Sequence, residues 1–74
     1  MQLKIGKRHL IEVTSLAEAS RIYCELRDES GEGSSTWPEG QVGQHRISYN
    51  GKVWLGKWES SATPVFDPYA QVAA

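Results

Sequence analysis

The stretch "TSLAEASRIYCELRDESG", residues 14–31, carries the clearest secondary-structure pattern in the chain, and the fold is read outward from it. Ser15-Leu16-Ala17-Glu18 has the S-x-x-E form of a capping box, in which Ser15 and Glu18 satisfy each other's orphan amides at a helix start. Leu16, Ala19, Ile22, Tyr23 and Leu26 then fall within ~120° on a 3.6-residue wheel, an apolar stripe suited to one core face. Arg21 and Glu25 form an i,i+4 pair on the other side. Gly31 is a natural stop, because glycine takes the left-handed conformation that ends helices.

On the N-terminal side, "MQLKIGKRHLIEV" alternates around a glycine. Met1, Leu3 and Ile5 share one strand face; Ile11 and Val13 share another. A three-residue loop, Gly6-Lys7-Arg8, sets Ile5 opposite His9 and Leu3 opposite Ile11, so that all inward positions lie together. A two-residue loop turns Ile11 and Val13 to the wrong face. On the C-terminal side, "HRISYNGKVWLGKW", residues 45–58, holds Asn50-Gly51, the strongest short-range hairpin signal. A type I′ turn there predicts Tyr49 opposite Lys52, Ile47 opposite Trp54 and His45 opposite Gly56. Ile47, Tyr49, Trp54 and Trp58 then share the face against the helix, and Arg46, Ser48, Val53, Leu55 and Lys57 share the other. The expected fold is α+β: a ββαββ domain over residues 1–60, two hairpins in one antiparallel sheet with a helix across it. Residues 61–74, "SATPVFDPYAQVAA", hold two prolines and no periodicity and are expected to form an extended C-terminal tail, either anchored by Phe66 or Tyr69 or flexible.

At 74 residues the chain is one domain. Such a chain buries only ~60% of its unfolded surface, so a few large side chains must build the core. Three tryptophans, three tyrosines and one phenylalanine are available for it. No apolar run is long enough for a membrane span, and the start is too polar for a signal peptide. The single cysteine, Cys24, cannot form an internal disulfide, which fits a reducing, cytoplasmic setting. The net charge of -1 favours no partner. Its distribution is uneven: Lys4, Lys7, Arg8, Arg46, Lys52 and Lys57 make the hairpins basic, whereas the helix and the segment after it are acidic.

That segment, "ESGEGSSTWPEGQVG" (residues 29–43), is expected to be a loop, yet it contains Trp37. Two jobs suit a tryptophan there. One is an anchor that folds back over the core and closes an Ω-type loop, with Pro38 restricting the backbone. The other is an exposed contact residue, since tryptophan is enriched at binding hot spots. The two are compatible if the ring is half buried. Glu29, Glu32 and Glu39 around it favour a basic or polar protein partner and oppose phosphate, so "GEGSS" is not a phosphate cradle; it also lacks the Lys-Ser/Thr ending of one.

Catalytic and metal chemistry find little purchase. His9, His45 and Cys24 show no ligand spacing, so no metal or cofactor is expected. Cys24 lies mid-helix at the edge of the apolar stripe, a boundary position with no base beside it. No G-x-S-x-G elbow is present. The chain is therefore expected to be a non-catalytic protein-interaction module. It is expected to bind through the Gly31–Gly43 loop, with Trp37, Pro38 and Glu39, and through Phe66 and Tyr69 of the tail. The alternative is a nucleic-acid binder using Arg46, Lys52, Trp54, Lys57 and Trp58, whose mixture of cations and rings suits single strands. Its weakness is that the type I′ pairing turns Trp54 towards the core. An exposed sheet edge leaves monomer and homodimer both open.

Overall fold

The computed structural model describes residues 1–56 and 64–69; the expectations for Lys57 and Trp58 lie outside them. The elements are β1 (Gln2–Ile5), β2 (His9–Glu12), α1 (Leu16–Ser30), β3 (Gly40–Val42), β4 (His45–Ile47) and β5 (Val53–Leu55). All strand pairs are antiparallel, and the sheet order is β2-β1-β3-β4-β5. The α+β class and the position of the helix between two hairpins stand as expected, with one more strand than two hairpins supply.

The β1–β2 register pairs Ile5 with His9 and Leu3 with Ile11, the three-residue loop that the alternation requires. Leu3, Ile5, Val13, Val42, Ile47 and Val53 are buried on one sheet face, and Ala19 and Tyr23 of α1 close over them. The helix starts as read: the Ser15 hydroxyl accepts from the Glu18 N–H at 3.0 Å. The reciprocal half differs, because the Glu18 carboxylate accepts from the Thr14 N–H (2.7 Å) and hydroxyl (3.2 Å) instead of from Ser15. Gly31, at φ 71, ends the helix in the left-handed conformation. The buried side of α1 is Ala19, Ser20 and Tyr23, and Leu16, Ile22 and Leu26 are only half buried. Ser20 goes inside because its hydroxyl donates to the Gly51 carbonyl at 2.7 Å, which removes the cost of burying it.

Two expectations are corrected. Residues 40–42, read as loop, form a central strand between β1 and β4. A Cβ on Gly40 would meet Tyr23 Cδ1 at 3.0 Å and both Ile47 Cβ and Leu3 Cδ1 at 3.2 Å. The glycine that suggested a loop thus lets the helix approach the sheet centre. β3 returns to β4 through Gly43-Gln44, with Val42 opposite His45 and Gly43 at φ 61, the sign pattern of a type II′ turn.

The second correction is the hairpin at Asn50-Gly51. Ile47 pairs with Val53 and Arg46 with Trp54, one residue away from the type I′ register. The closing pair is Ser48 and Lys52: Ser48 N–H donates to Lys52 O (3.0 Å) and Gly51 N–H to Ser48 O (2.8 Å). A type I′ turn needs positive φ at both central positions. Here Gly51 has φ 93, and no described non-glycine residue has a positive φ. Asn50 instead uses its side chain, Oδ1 accepting from Lys52 N–H (3.1 Å) and from the Ser48 hydroxyl (2.6 Å). The loop thus holds three residues, and the one-residue change moves Trp54 to the face away from the helix.

Part of the tail is docked. Val65 N–H donates to Val53 O at 2.7 Å, Val53 N–H donates to Phe66 O at 2.8 Å, and Phe66 packs half buried against the core. Lys52 and Asp67 lie 3.8 Å apart over this junction. Residues 64–69 therefore belong to the body of the domain, beside the β5 edge.

Candidate functional site

Trp37 does the anchoring job. It is 4% exposed, its backbone N–H donates to Gly33 O at 2.9 Å, and its ring lies 6.1 Å from both His9 and Tyr23. The Arg8 guanidinium covers the ring, 5.4 Å from its centroid, and also makes a two-bond pair with Glu32, Nη2 to Oε1 at 3.0 Å. That pair raises Arg8 and lowers Glu32 from their ordinary values, each chiefly through the side-chain hydrogen bond to the other. The Tyr23 hydroxyl donates to Pro38 O at 2.8 Å, and burial pushes this phenol above its ordinary range. Gly6, at φ 53, lies so near Pro38 that a Cβ would come within 2.8 Å of Cγ. The first hairpin's tip and the helix therefore clamp the loop from both sides. The indole Nε1 is buried with no hydrogen-bond partner, so the side chain itself is held by packing and by the Arg8 guanidinium over its ring.

With Trp37 inside, the loop presents Pro38, half buried, and Glu39, exposed. Glu39 precedes β3 on the side of the sheet away from α1, where the β4–β5 register also places Arg46 and Trp54. Arg46 Nη1 lies 3.8 Å from Glu39 Oε1, and Trp54 Nε1 donates to the Ser48 hydroxyl at 3.2 Å. Glu39, Ser48, Tyr49, Asn50 and Trp54 line an open hollow of about 320 Å³. Tyr49 is fixed at its edge by donating to Glu32 O (2.9 Å) and by the Arg27 guanidinium 5.3 Å from its ring. Arg27 Nη1 also donates to Tyr49 O at 2.7 Å. A carboxylate, two aromatic side chains and two side-chain oxygens thus meet in one place.

The same face carries a row across all five strands: Leu10, Lys4, Gln41, Arg46 and Trp54 are successive register partners. No described element covers it. Lys52 lies outside this row; it closes the turn opposite Ser48 and sits beside Asp67. Phe66 and Tyr69 are elsewhere too. Phe66 lines a groove of about 500 Å³ against α1, with Ser20, Cys24 and Pro68, and Tyr69 is 60% exposed. The sequence-derived residues therefore split into the clamped anchor, the hollow beside Trp54, and the helix–tail groove. The grouping of Glu39 with Trp54 was missed because it depends on β3 and on the shifted hairpin. The signal for β3 was "GQVGQHRI", apolar alternation around a glycine-led two-residue turn.

The groups weighed for chemistry are dispersed. His9 packs on Trp37 and His45 pairs with Leu55 at the opposite end of the sheet. Among the described residues no three His, Cys, Asp or Glu side chains converge as metal ligands. Burial raises the Cys24 thiol, which works against thiolate formation. Among the described residues no helix is long and apolar enough to cross a membrane. No protein-family model, curated protein or solved structure gives a significant match to the chain.

Proposed function

We propose that this chain is a small non-catalytic module that binds a protein partner. Its contact surface is the outer sheet face around Glu39 and Trp54, with Tyr49 at the edge of the hollow between them. The hollow lined by Glu39, Ser48, Tyr49, Asn50 and Trp54 carries the reading. Aromatic walls beside a carboxylate suit a lysine or arginine side chain, which gains both ion pairing and contact with ring faces. Trp54 and Arg46 are also the residue types that dominate binding energy at interfaces. In this reading the loop contributes its outer rim, with Trp37 holding that rim in place. Val65 and Tyr69, 52% and 60% exposed, keep the C-terminal segment as a second contact surface. The lone cysteine favours a reducing compartment.

The test is capture of partners from a cell extract by wild type, Trp54→Ala and Glu39→Lys, with circular dichroism to verify folding. Partners held by wild type and lost by both folded variants support the surface. Partners retained by both variants contradict it.

A second reading draws on the row from Lys4 through Arg46 to Trp54, because the observed register removes the geometric objection to stacking a base on Trp54. Glu39 beside Arg46 and Glu12 at the row's far end weaken its field, so it ranks second. Titration with a mixed-sequence oligonucleotide separates the two, since a phosphate contact weakens steeply with salt.

A further inference from the structure

We propose that the β2 edge pairs with the β2 edge of a second copy of this chain, joining two sheets antiparallel about a two-fold axis at Leu10. The hydrogen-bond phase of the first hairpin gives the starting point. Val13 N–H donates to Met1 O at 2.8 Å and the Met1 amino group donates to Val13 O at 3.2 Å, so Met1 and Val13 are a bonded pair. Bonded and non-bonded pairs alternate along an antiparallel ladder. With Gln2 opposite Glu12 and Lys4 opposite Leu10, the bonded pairs are therefore Leu3–Ile11 and Ile5–His9. The N–H and C=O groups of Leu10 and Glu12 point away from β1, outward from the sheet.

The two sheet edges are unlike. At β5 the Val65–Phe66 segment already satisfies Val53. At β2 no described residue pairs with the outward side, and Leu10 is 64% exposed. Natural edges are commonly blunted by charges, above all lysine, by proline, by a bulge or by being short; "HLIE" has no lysine, proline or bulge, and its one charge, Glu12, has a place opposite Arg8 of a second copy.

A second copy fits this edge by symmetry. Antiparallel pairing that keeps both helices on one side of the joined sheet sets residues of equal parity opposite each other. With Leu10 on the axis, it faces the partner's Leu10 and exchanges two backbone hydrogen bonds with it. Arg8 then lies opposite the partner's Glu12, twice over, and His9 opposite the partner's Ile11. Glu12's own partner, the N-terminal amine, forms an exposed and weak pair with it that is open to sharing, and Arg8 can face the partner's Glu12 while keeping its two-bond pair with Glu32. So short an edge belongs to the weak class of interfaces, under about 1,200 Å². Self-association is therefore expected in the micromolar to millimolar range.

The test is sedimentation over that range, read together with amide hydrogen exchange. The expected result is concentration-dependent dimerisation in which the Leu10 and Glu12 amides become protected, whereas His9 and Ile11 are protected at every concentration. Leu10→Lys sets two like charges opposite each other and weakens association about tenfold or more. Leu10→Pro removes only an outward donor, so the internal ladder survives; it gives a second route if either variant folds poorly. A wild type that stays monomeric overturns the proposal. So does association that leaves the Leu10 amide unprotected, or that both folded variants retain.

Discussion

Trp37 takes the anchor role, one of the two its sequence offers, whereas Trp54, expected against the helix, faces outward. Trp37 lies in a glycine-rich segment and is buried; Trp54 lies in a hairpin strand and faces outward. Their truncations should differ accordingly. Trp37→Ala removes the ring between Arg8, His9 and Tyr23 and should cost about 3–5 kcal/mol in urea unfolding, as buried aromatic deletions do. Trp54→Ala should cost clearly less while abolishing partner capture. Gly40→Ala places a methyl against Tyr23, Ile47 and Leu3 at 3.0–3.2 Å. Overpacking of that kind costs about 1–3 kcal/mol, again read by urea unfolding. Arg8 and Glu32 add a pH dependence. Glu32 has a lowered folded pKa, so its stabilisation is fully present above the ordinary carboxylate value and is lost as pH falls through the lowered one. Melting temperatures of wild type and Glu32→Gln should therefore differ at neutral pH and converge in strong acid.

At the scale of elements, the turn between β4 and β5 sets which side chains face out. Its register rests on Gly51 alone having positive φ and on the Asn50 side chain bridging Ser48 and Lys52. Gly51→Ala would place a Cβ 2.6 Å from Cys24 Sγ at φ 93, so it should destabilise the domain strongly and lower its urea midpoint. The helix was the element most legible in the sequence, because Ser15 and Gly31 mark its ends chemically. Its rotation was less so: Leu16, Ile22 and Leu26 of the stripe pack against the core only half buried, and a tertiary hydrogen bond draws Ser20 fully inward beside Ala19 and Tyr23. The first hairpin was legible because only one loop length aligns Leu3, Ile5, Ile11 and Val13. The second was not, because Asn-Gly suits both a two-residue turn and a three-residue loop with glycine last, and local sequence does not separate them.

Across the whole molecule, one helix covers one face of a five-stranded sheet and leaves the other face uncovered among the described residues. That asymmetry was implicit in the expected ββαββ order. The central strand β3 was hidden by its own glycine, which is needed for close packing under Tyr23. Because β3 joins Lys4 of the first hairpin to Arg46 of the second, missing it also hid the continuity of the outer face and the place of Glu39 on it. Of the candidate site, the sequence singled out Glu39 and, for a nucleic-acid partner, Arg46 and Trp54; it singled out neither Ser48, Tyr49 and Asn50 nor the way these residues assemble. The proposed binding surface depends above all on the β4–β5 register, and a nuclear Overhauser experiment on the labelled protein reads that register directly. The account predicts cross-strand contacts that pair Ile47 with Val53 and Arg46 with Trp54; contacts pairing Ile47 with Trp54 would turn that tryptophan into the core and contradict it.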